Sequence, residues 1–167
     1  MSVSTRTGDD GYTDIIGGKR LRKDHPIVEC LGTIDELNAF LGDAKTALGD
    51  TITAHIINDI QKDLFTLMGI LAGMPIPSGS GAFHEWNGEE RLSRLINEQE
   101  AELPALSSFA VPGSNAASAK LHLARTVCRR AERCMVGLDL DQASEAAIVP
   151  YINRLSDLLF LLAQRES

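Results

Sequence analysis

Hydrophobic residues recur along most of this chain with the three-to-four-residue spacing of an amphipathic helix. The first such segment begins at Pro26 and runs to Gly49, and a proline in the first turn and a glycine at the end are typical helix boundaries. The second runs from residue 53 to about residue 71, before Gly73 and Pro75. The pattern predicts two long helices, and the short joint between them predicts an antiparallel pair.

Three more helices are predicted in the second half of the chain. Asn87 is the predicted N-cap of the third, which ends before the next proline, and Ser114 or Asn115 is the predicted N-cap of the fourth. The fifth runs from about residue 142 to residue 164, and Pro150 either kinks it or starts its second half. No segment alternates long enough to predict a strand, so the fold class is all-α, with four or five helices in an antiparallel bundle.

The first 24 residues have no hydrophobic period and are rich in glycine and threonine, interspersed with lysine and arginine. They are predicted to form a glycine-rich N-terminal loop before a helical bundle at residues 25–167. A loop of this length is either functional, with backbone N–H groups that cradle phosphates, or a disordered tail. Composition leaves both alternatives open.

The composition fits one cytoplasmic domain of 167 residues. A net charge of -7 argues against non-specific nucleic-acid binding, which needs a broad basic surface. We expect no segment to reach the ~18 apolar residues of a membrane span, and the first residues lack the apolar stretch of a signal peptide, so no membrane association is expected. The three cysteines have no CxxC spacing and are expected to be reduced thiols in the core.

Four of the sixteen lysines and arginines stand within nine positions of the fourth predicted helix. At about 100° per residue, Arg125, Arg129 and Arg133 lie on one stripe, whereas Arg130 points to a different edge. Apolar residues occupy the opposite face. A row of guanidinium groups suits a polyphosphate better than a single carboxylate. The alternative is a solvated face with surface ion pairs, and the cluster alone leaves both possibilities open.

Common catalytic and nucleotide-binding motifs are missing from the sequence. It has no Walker P-loop, no GxGxxG after a strand and no paired Glu-x-x-His for a di-metal site, so protein metal ligands are not expected. His122 is predicted to be a hydrogen-bonded histidine rather than a base, and Cys128 and Cys134 to be packing residues. The remaining features are a glycine- and threonine-rich loop, an arginine-bearing helix and a hydrophobic turn. They suit the binding of a polyphosphate beside an apolar group, without a protein nucleophile.

Six segments follow one another in a characteristic order: Thr5-Arg-Thr-Gly-Asp-Asp-Gly-Tyr-Thr13, Gly17-Gly with Lys23-Asp24, Gly32-Thr-Ile-Asp-Glu-Leu-Asn38, Phe109-Ala-Val-Pro-Gly113, Leu121-His-Leu-Ala-Arg-Thr-Val-Cys-Arg-Arg-Ala-Glu-Arg133 and Tyr151-Ile-Asn-Arg-Leu-Ser-Asp-Leu-Leu-Phe160. Together they resemble the PduO-type ATP:cob(I)alamin adenosyltransferases, also called corrinoid adenosyltransferases. The resemblance covers nearly the whole chain as a single domain, residues 1–167. It implies a five-helix bundle that assembles as a homotrimer with active sites at the subunit interfaces.

The resemblance also implies the reaction. Cob(I)alamin attacks the 5′ carbon of ATP, a cobalt–carbon bond forms and triphosphate leaves, so the nucleophile belongs to the corrinoid. ATP and cobalamin are the substrates, and Mg²⁺ is expected on the triphosphate without a dedicated protein ligand. A reductase and an adenosylcobalamin-dependent acceptor enzyme are the expected protein partners.

By the same resemblance, ATP binds between two subunits. One subunit would supply Thr5, Arg6, Thr7, Gly8, Thr13 and Lys23, and its neighbour Arg129, Arg130, Ala131, Glu132, Arg133 and Asn153. Arg129 is the residue expected to act catalytically on the departing triphosphate.

Two further roles follow from the resemblance. Asp35 and Arg125 would pair across the subunit interface, and Phe109 would bind cobalamin by covering the lower face of cobalt and displacing its axial ligand, which makes it a second catalytic residue. The chain departs from the family pattern at Ser114-Asn115 and at Lys120, close to the corrin side.

Two other functions remain as alternatives for this fold, a corrinoid-binding delivery protein and an ATP-sensing helical subunit. The presence of both Phe109 and Arg129 favours the enzyme.

Overall fold

The computed structural model describes residues 4, 6–16, 18–78, 86–104 and 110–167. Over this part of the chain, five α-helices follow a two-stranded β-hairpin. The elements are β1 (Tyr12–Asp14), β2 (Arg20–Arg22), α1 (Pro26–Leu48), α2 (Ile52–Leu71), α3 (Gly88–Glu102), α4 (Ala116–Val136) and α5 (Gln142–Arg165). The prediction of a five-helix bundle is confirmed. Thr5, Gly17 and Phe109 lie outside the described residues.

The hairpin corrects the prediction of an N-terminal segment without strands. β1 and β2 pair antiparallel, with Tyr12 opposite Arg22, Thr13 opposite Leu21 and Asp14 opposite Arg20. Only the central residue of each strand is partly buried. Three residues are too few to display a period of two, so the sequence carried no strand signal here.

Side-chain caps explain where most of the helices begin. His25, Thr51, Asn115 and Asp141 precede α1, α2, α4 and α5, and each accepts hydrogen bonds from backbone N–H groups two or three residues ahead. This identifies Asn115, rather than its neighbouring serine, as the cap of α4. Asn87 precedes α3 as predicted, but its side chain forms no cap bond.

Helix α4 lies between α1 and α5, while α2 packs on α1 and α3 packs on α5. Helices α1 and α4 run antiparallel, as do α4 and α5. Helix α3 runs in the same direction as α5, because Glu89 near its start lies by Arg154 and Glu102 at its end bonds to Arg165. The largest side chains of the common core are fully buried: Tyr151, Ile34, Leu37, Leu41, Ile57, Ile60, Leu64, Leu67, Leu92, Leu121, Met135 and Ile148.

Helix α5 is continuous through Pro150. One 18-residue window of this helix has a mean hydropathy of 1.4. By length and composition, α5 is therefore apolar enough to cross a membrane, contrary to the expectation that no segment of the chain reaches that length and hydropathy. Half of that window is buried inside the bundle. The buried part of α5 packs against α3 and α4.

All three cysteines are free thiols, in agreement with the sequence expectation. Burial raises the pKa of Cys30 to about 12 and raises the pKa of Cys128 further. The Cys128 thiol donates to the Ile152 carbonyl oxygen at 3.4 Å, which joins α4 to α5. Cys134 is half-buried and packs against the same core.

Candidate functional site

Helix α4 has the two faces that its sequence predicts. Its apolar side, including Ala124 and Cys128, is fully buried, whereas Arg129 and Arg133 are exposed. The Arg133 guanidinium donates to the Arg129 carbonyl oxygen at 3.0 Å, which holds the two residues close together. Among the described residues no carboxylate lies within ion-pair distance of the Arg129 guanidinium. The exposed face thus presents guanidinium charge that the chain itself leaves available. Ala131 is fully buried, so its side chain belongs to the core rather than to this face.

Arg130 points to a different edge of α4, as predicted. Its guanidinium forms an ion pair with Glu36 on α1, and both side chains are half-exposed. Within the chain, Arg130 therefore connects α4 to α1 instead of extending the stripe. The sequence did not indicate this pairing, because the two residues lie on different helices far apart in the chain.

Two predicted site residues from different helices meet at the α4–α5 interface. The Asn153 amide nitrogen donates to the Glu132 carboxylate at 2.7 Å, and the Asn153 amide oxygen accepts from Arg154 at 3.2 Å. Arg154 also lies 3.6 Å from Glu89 at the start of α3. This chain of polar contacts fixes the Glu132 carboxylate beside the arginine stripe of α4.

The N-terminal segment folds into consecutive turns. Asp9 N–H donates to the Arg6 carbonyl oxygen at 3.3 Å, and Gly11 N–H donates to the Gly8 carbonyl oxygen at 3.2 Å. Arg6 has a φ of 58° and Gly11 a φ of 84°, both in the left-handed region. We call residues 6–11 the N-terminal turn. Such turns aim successive backbone N–H groups in similar directions, which suits an anion.

Lys23 lies against this turn. Its backbone N–H donates to the Gly11 carbonyl oxygen at 2.9 Å, and its ammonium nitrogen lies 3.1 Å from the position that a Cβ on Gly8 would take. The structure thereby brings together Gly8 and Lys23, two residues predicted to contact ATP. Thr13 lies next to them on β1, partly buried and opposite Leu21.

Arg20 organises the same region, and the sequence reasoning missed it. Its guanidinium donates to the Thr7 carbonyl oxygen at 2.7 Å and to both carboxylate oxygens of Asp10, at 3.0 and 2.8 Å. It also donates to Asp14 at 3.2 Å. The hydrogen bonds and charge of Arg20 lower the pKa of Asp10. The short strands gave no register, and without a register Arg20 could not be placed opposite Asp14.

Arg125 and His122, one and two turns before Arg129 on α4, form a cluster with Phe160 of α5. The Phe160 ring centroid lies 6.0 Å from the Arg125 guanidinium carbon and 6.0 Å from the His122 ring centroid. Arg125 Nε and His122 Nδ1 are buried and have no hydrogen-bond partner among the described residues. The prediction of a hydrogen-bonded histidine was therefore wrong for this nitrogen. Burial, assisted by Arg125, lowers the pKa of His122.

The predicted partners Asp35 and Arg125 do not meet within one chain. Asp35 is exposed on α1, and no ion pair joins it to Arg125 in the described part of the structure. Over the same residues, no group of three or more His, Cys, Asp and Glu side chains is placed to hold a metal ion.

A helical bundle that carries a basic stripe and a lysine-bearing N-terminal turn defines a class of protein suited to binding a polyphosphate. The sequence profile of the cobalamin adenosyltransferase family matches residues 3–166. The corrinoid adenosyltransferase PduO of Salmonella typhimurium is 39% identical over 167 residues, which cover 99% of this chain and 50% of that protein. A corrinoid adenosyltransferase of Citrobacter freundii is 38% identical over 167 residues, with coverage of 98% and 94%.

The chain therefore belongs to the cobalamin adenosyltransferase family. It spans about half the length of the PduO proteins of Salmonella and Citrobacter that it matches. A solved structure of a variant PduO-type ATP:corrinoid adenosyltransferase from Lactobacillus reuteri, complexed with cobalamin and ATP, superimposes with a TM-score of 0.83 at 31% identity. That match covers 99% of this chain and 90% of the solved chain, so the two proteins share one fold throughout.

Proposed function

We propose that this chain transfers the 5′-deoxyadenosyl group of ATP to cob(I)alamin and releases triphosphate. The observation that carries the proposal is the exposed arginine stripe of α4, with Glu132 fixed beside it, in a chain of the cobalamin adenosyltransferase family. Relatives along the full chain are named for this activity, and a solved relative holds both cobalamin and ATP.

The reaction needs no nucleophile from the protein. The cobalt(I) electron pair forms a bond to the 5′ carbon, and the electron pair of the breaking carbon–oxygen bond leaves with the triphosphate. The protein stabilises the negative charge that develops on the leaving oxygen and holds the phosphates in line. Arg129 and Arg133 are suited to the first task, and Lys23 with the N-terminal turn to the second.

The proposed site is shared between subunits of a homotrimer. Its ATP contacts from one subunit are the N-terminal residues Thr5, Arg6, Thr7, Gly8, Thr13 and Lys23, and its contacts from the neighbour are Arg129, Arg130, Glu132, Arg133 and Asn153, without the buried Ala131. Asp35 and Arg125 would pair across the interface. Arg125 Nε has no hydrogen-bond partner in the part of the chain that the structure describes, which supports an additional acceptor there. Phe109 would face cobalt, and Mg²⁺ would arrive with the triphosphate. A reductase and an acceptor enzyme would act before and after this step.

The test is an anaerobic assay with cob(I)alamin and ATP, followed by absorbance. Loss of the cob(I)alamin spectrum that depends on ATP, with formation of adenosylcobalamin and triphosphate, is the expected result. Tight binding of adenosylcobalamin without turnover would favour a delivery protein instead. Binding of ATP with no spectral change on adding cobalamin would favour a nucleotide-sensing subunit.

A further inference from the structure

The Arg20 guanidinium connects strand β2 to the N-terminal turn. It donates to the Thr7 carbonyl oxygen at 2.7 Å and to the Asp10 carboxylate at 2.8 and 3.0 Å. The Asp10 carboxylate in turn accepts from the backbone N–H of Tyr12 at 3.1 Å, and the Arg20 guanidinium carbon lies 5.8 Å from the Tyr12 ring centroid. One side chain thus holds both ends of the N-terminal turn against the hairpin.

The Thr7 contact determines the direction of a neighbouring donor. The Thr7 carbonyl group and the Gly8 N–H belong to one peptide plane, and in a trans peptide they point in opposite directions. The described chain contains no cis peptide bond. Because the Thr7 oxygen accepts from the Arg20 guanidinium, the Gly8 N–H is directed away from that guanidinium. Lys23 places its ammonium group beside the same glycine.

We propose that Arg20 is a positioning residue for ATP, which fixes the N-terminal turn in the conformation that receives the triphosphate. This inference rests on the proposed function. Arg20 faces two carboxylates, those of Asp10 and Asp14, so its own charge is already compensated within the hairpin. Its effect on ATP is therefore exerted through the turn, by lowering the entropy that is lost when the turn is ordered around the ligand.

The alternative is direct contact between the Arg20 guanidinium and a phosphate. The two explanations predict opposite results for Asp10→Asn. If Arg20 acts through the turn, loss of the Asp10 charge loosens the turn and weakens ATP binding. If Arg20 contacts ATP directly, loss of the competing carboxylate strengthens ATP binding or leaves it unchanged.

The experiment compares Arg20→Gln, Asp10→Asn and their double variant with wild type. Arg22→Gln is the matched control, since Arg22 lies two residues further on the same strand and pairs with Asp24 at 2.8 Å. The dissociation constant of ATP is measured by calorimetry without cobalamin, and KM for ATP and kcat are measured in the adenosylation assay. Both single variants should raise Kd and KM for ATP about tenfold, with kcat at saturating ATP within about twofold of wild type.

The double variant should bind ATP about as weakly as Arg20→Gln, because the Arg20–Asp10 contact is already absent from that single variant. The control should remain within about twofold of wild type. An Arg20→Gln protein with unchanged Kd, or an Asp10→Asn protein that binds ATP as tightly as wild type or more tightly, would overturn the positioning role. So would a loss of helical structure along with ATP binding, since the effect would then be one of folding.

The binding measurement separates this inference from the proposed function. A wild-type protein that binds ATP but does not adenosylate cobalamin would contradict the proposed function alone, and the Arg20 comparison would still be decided by Kd. A wild-type protein that does not bind ATP would overturn both.

Discussion

The side-chain amide of Asn153 donates a 2.7 Å hydrogen bond to the carboxylate of Glu132, from α5 to α4. Arg154 binds the other end of the amide at 3.2 Å, so the amide cannot rotate without losing both contacts. A charge-assisted bond of this kind is stronger than a neutral one. As a consequence, the Glu132 carboxylate has a defined position beside the arginine stripe, one residue before Arg133 in the sequence.

We expect Asn153→Ala to lower kcat/KM for ATP about tenfold, because the Glu132 carboxylate loses its fixed orientation. Steady-state assays at varied ATP would measure the change. Asn58→Ala is the control: the Asn58 amide oxygen also accepts a side-chain hydrogen bond, from Lys45 at 2.9 Å, but it joins α1 to α2. Equal kcat/KM values for the two variants would contradict a role of the Glu132–Asn153 pair at the site.

Arg129→Ala should lower kcat by about 10²–10³, the scale for removal of one preorganised donor to a developing charge. Arg129 is exposed, so the unfolding temperature should stay close to that of wild type. Arg94→Ala, at an exposed arginine of α3, controls for the loss of one positive charge. Activity of Arg129→Ala within a few-fold of wild type would remove Arg129 from its assigned role.

The helices could be predicted because their signals are local and repeated. Helix α1 presents an apolar residue at every turn from Ile34 to Leu48 and is bounded by Pro26 and Gly49, so period and boundaries agree. Helix α5 contains a proline, yet its core face continues on both sides, and this dominates over the missing N–H of Pro150.

The contacts between distant residues could not be predicted in this way. The pairing of Arg130 with Glu36 depends on the packing of α1 against α4, and the bonds of Arg20 depend on the register of two three-residue strands. Neither set of contacts produces a periodic pattern of hydrophobic residues in the sequence. The roles assigned to Asp35 and Phe109 came from family resemblance alone, because periodicity does not show which faces meet a second copy or a corrin ring.

Gly8→Ala should weaken ATP binding several-fold. A Cβ at this position would lie 3.1 Å from the Lys23 ammonium nitrogen and 3.2 Å from the Tyr12 carbonyl oxygen. The backbone oxygen is fixed by the hairpin, so the lysine must move from its place beside the turn. Gly42→Ala on α1 is the control, since its Cβ would meet only Gln61 at an ordinary 3.6 Å. Calorimetric titration with ATP would report both variants, and equal dissociation constants would argue against a close fit around Gly8.

Gly88→Ala should instead destabilise the fold. Its Cβ would lie 2.7 Å from the ring of Tyr151, which is fully buried and donates its hydroxyl to Asp63 at 2.9 Å. Since the ring has no room to retreat, overpacking should lower the free energy of unfolding by about 1–3 kcal/mol. Urea denaturation would measure the loss against the same Gly42→Ala control. A stability equal to wild type would show that the α3 terminus shifts freely away from Tyr151.

His122 should make the stability of the bundle depend on pH below neutrality. Burial, with a contribution from Arg125, lowers the pKa of His122 from its ordinary value of 6.5. The unfolded chain therefore takes up a proton as the pH falls through about 6.5, while the folded chain does not, and the free energy of unfolding decreases with acidification. Urea denaturation at about pH 7.5 and about pH 5.5 would measure the difference, which should shrink in His122→Gln.

His55→Gln is the control, because His55 is 75% exposed beside Asp50, and it should retain the wild-type difference. The carboxylates whose pKa is lowered, such as Asp141, titrate below this range. If His122→Gln retained the full pH difference, the destabilisation would have to originate outside this cluster.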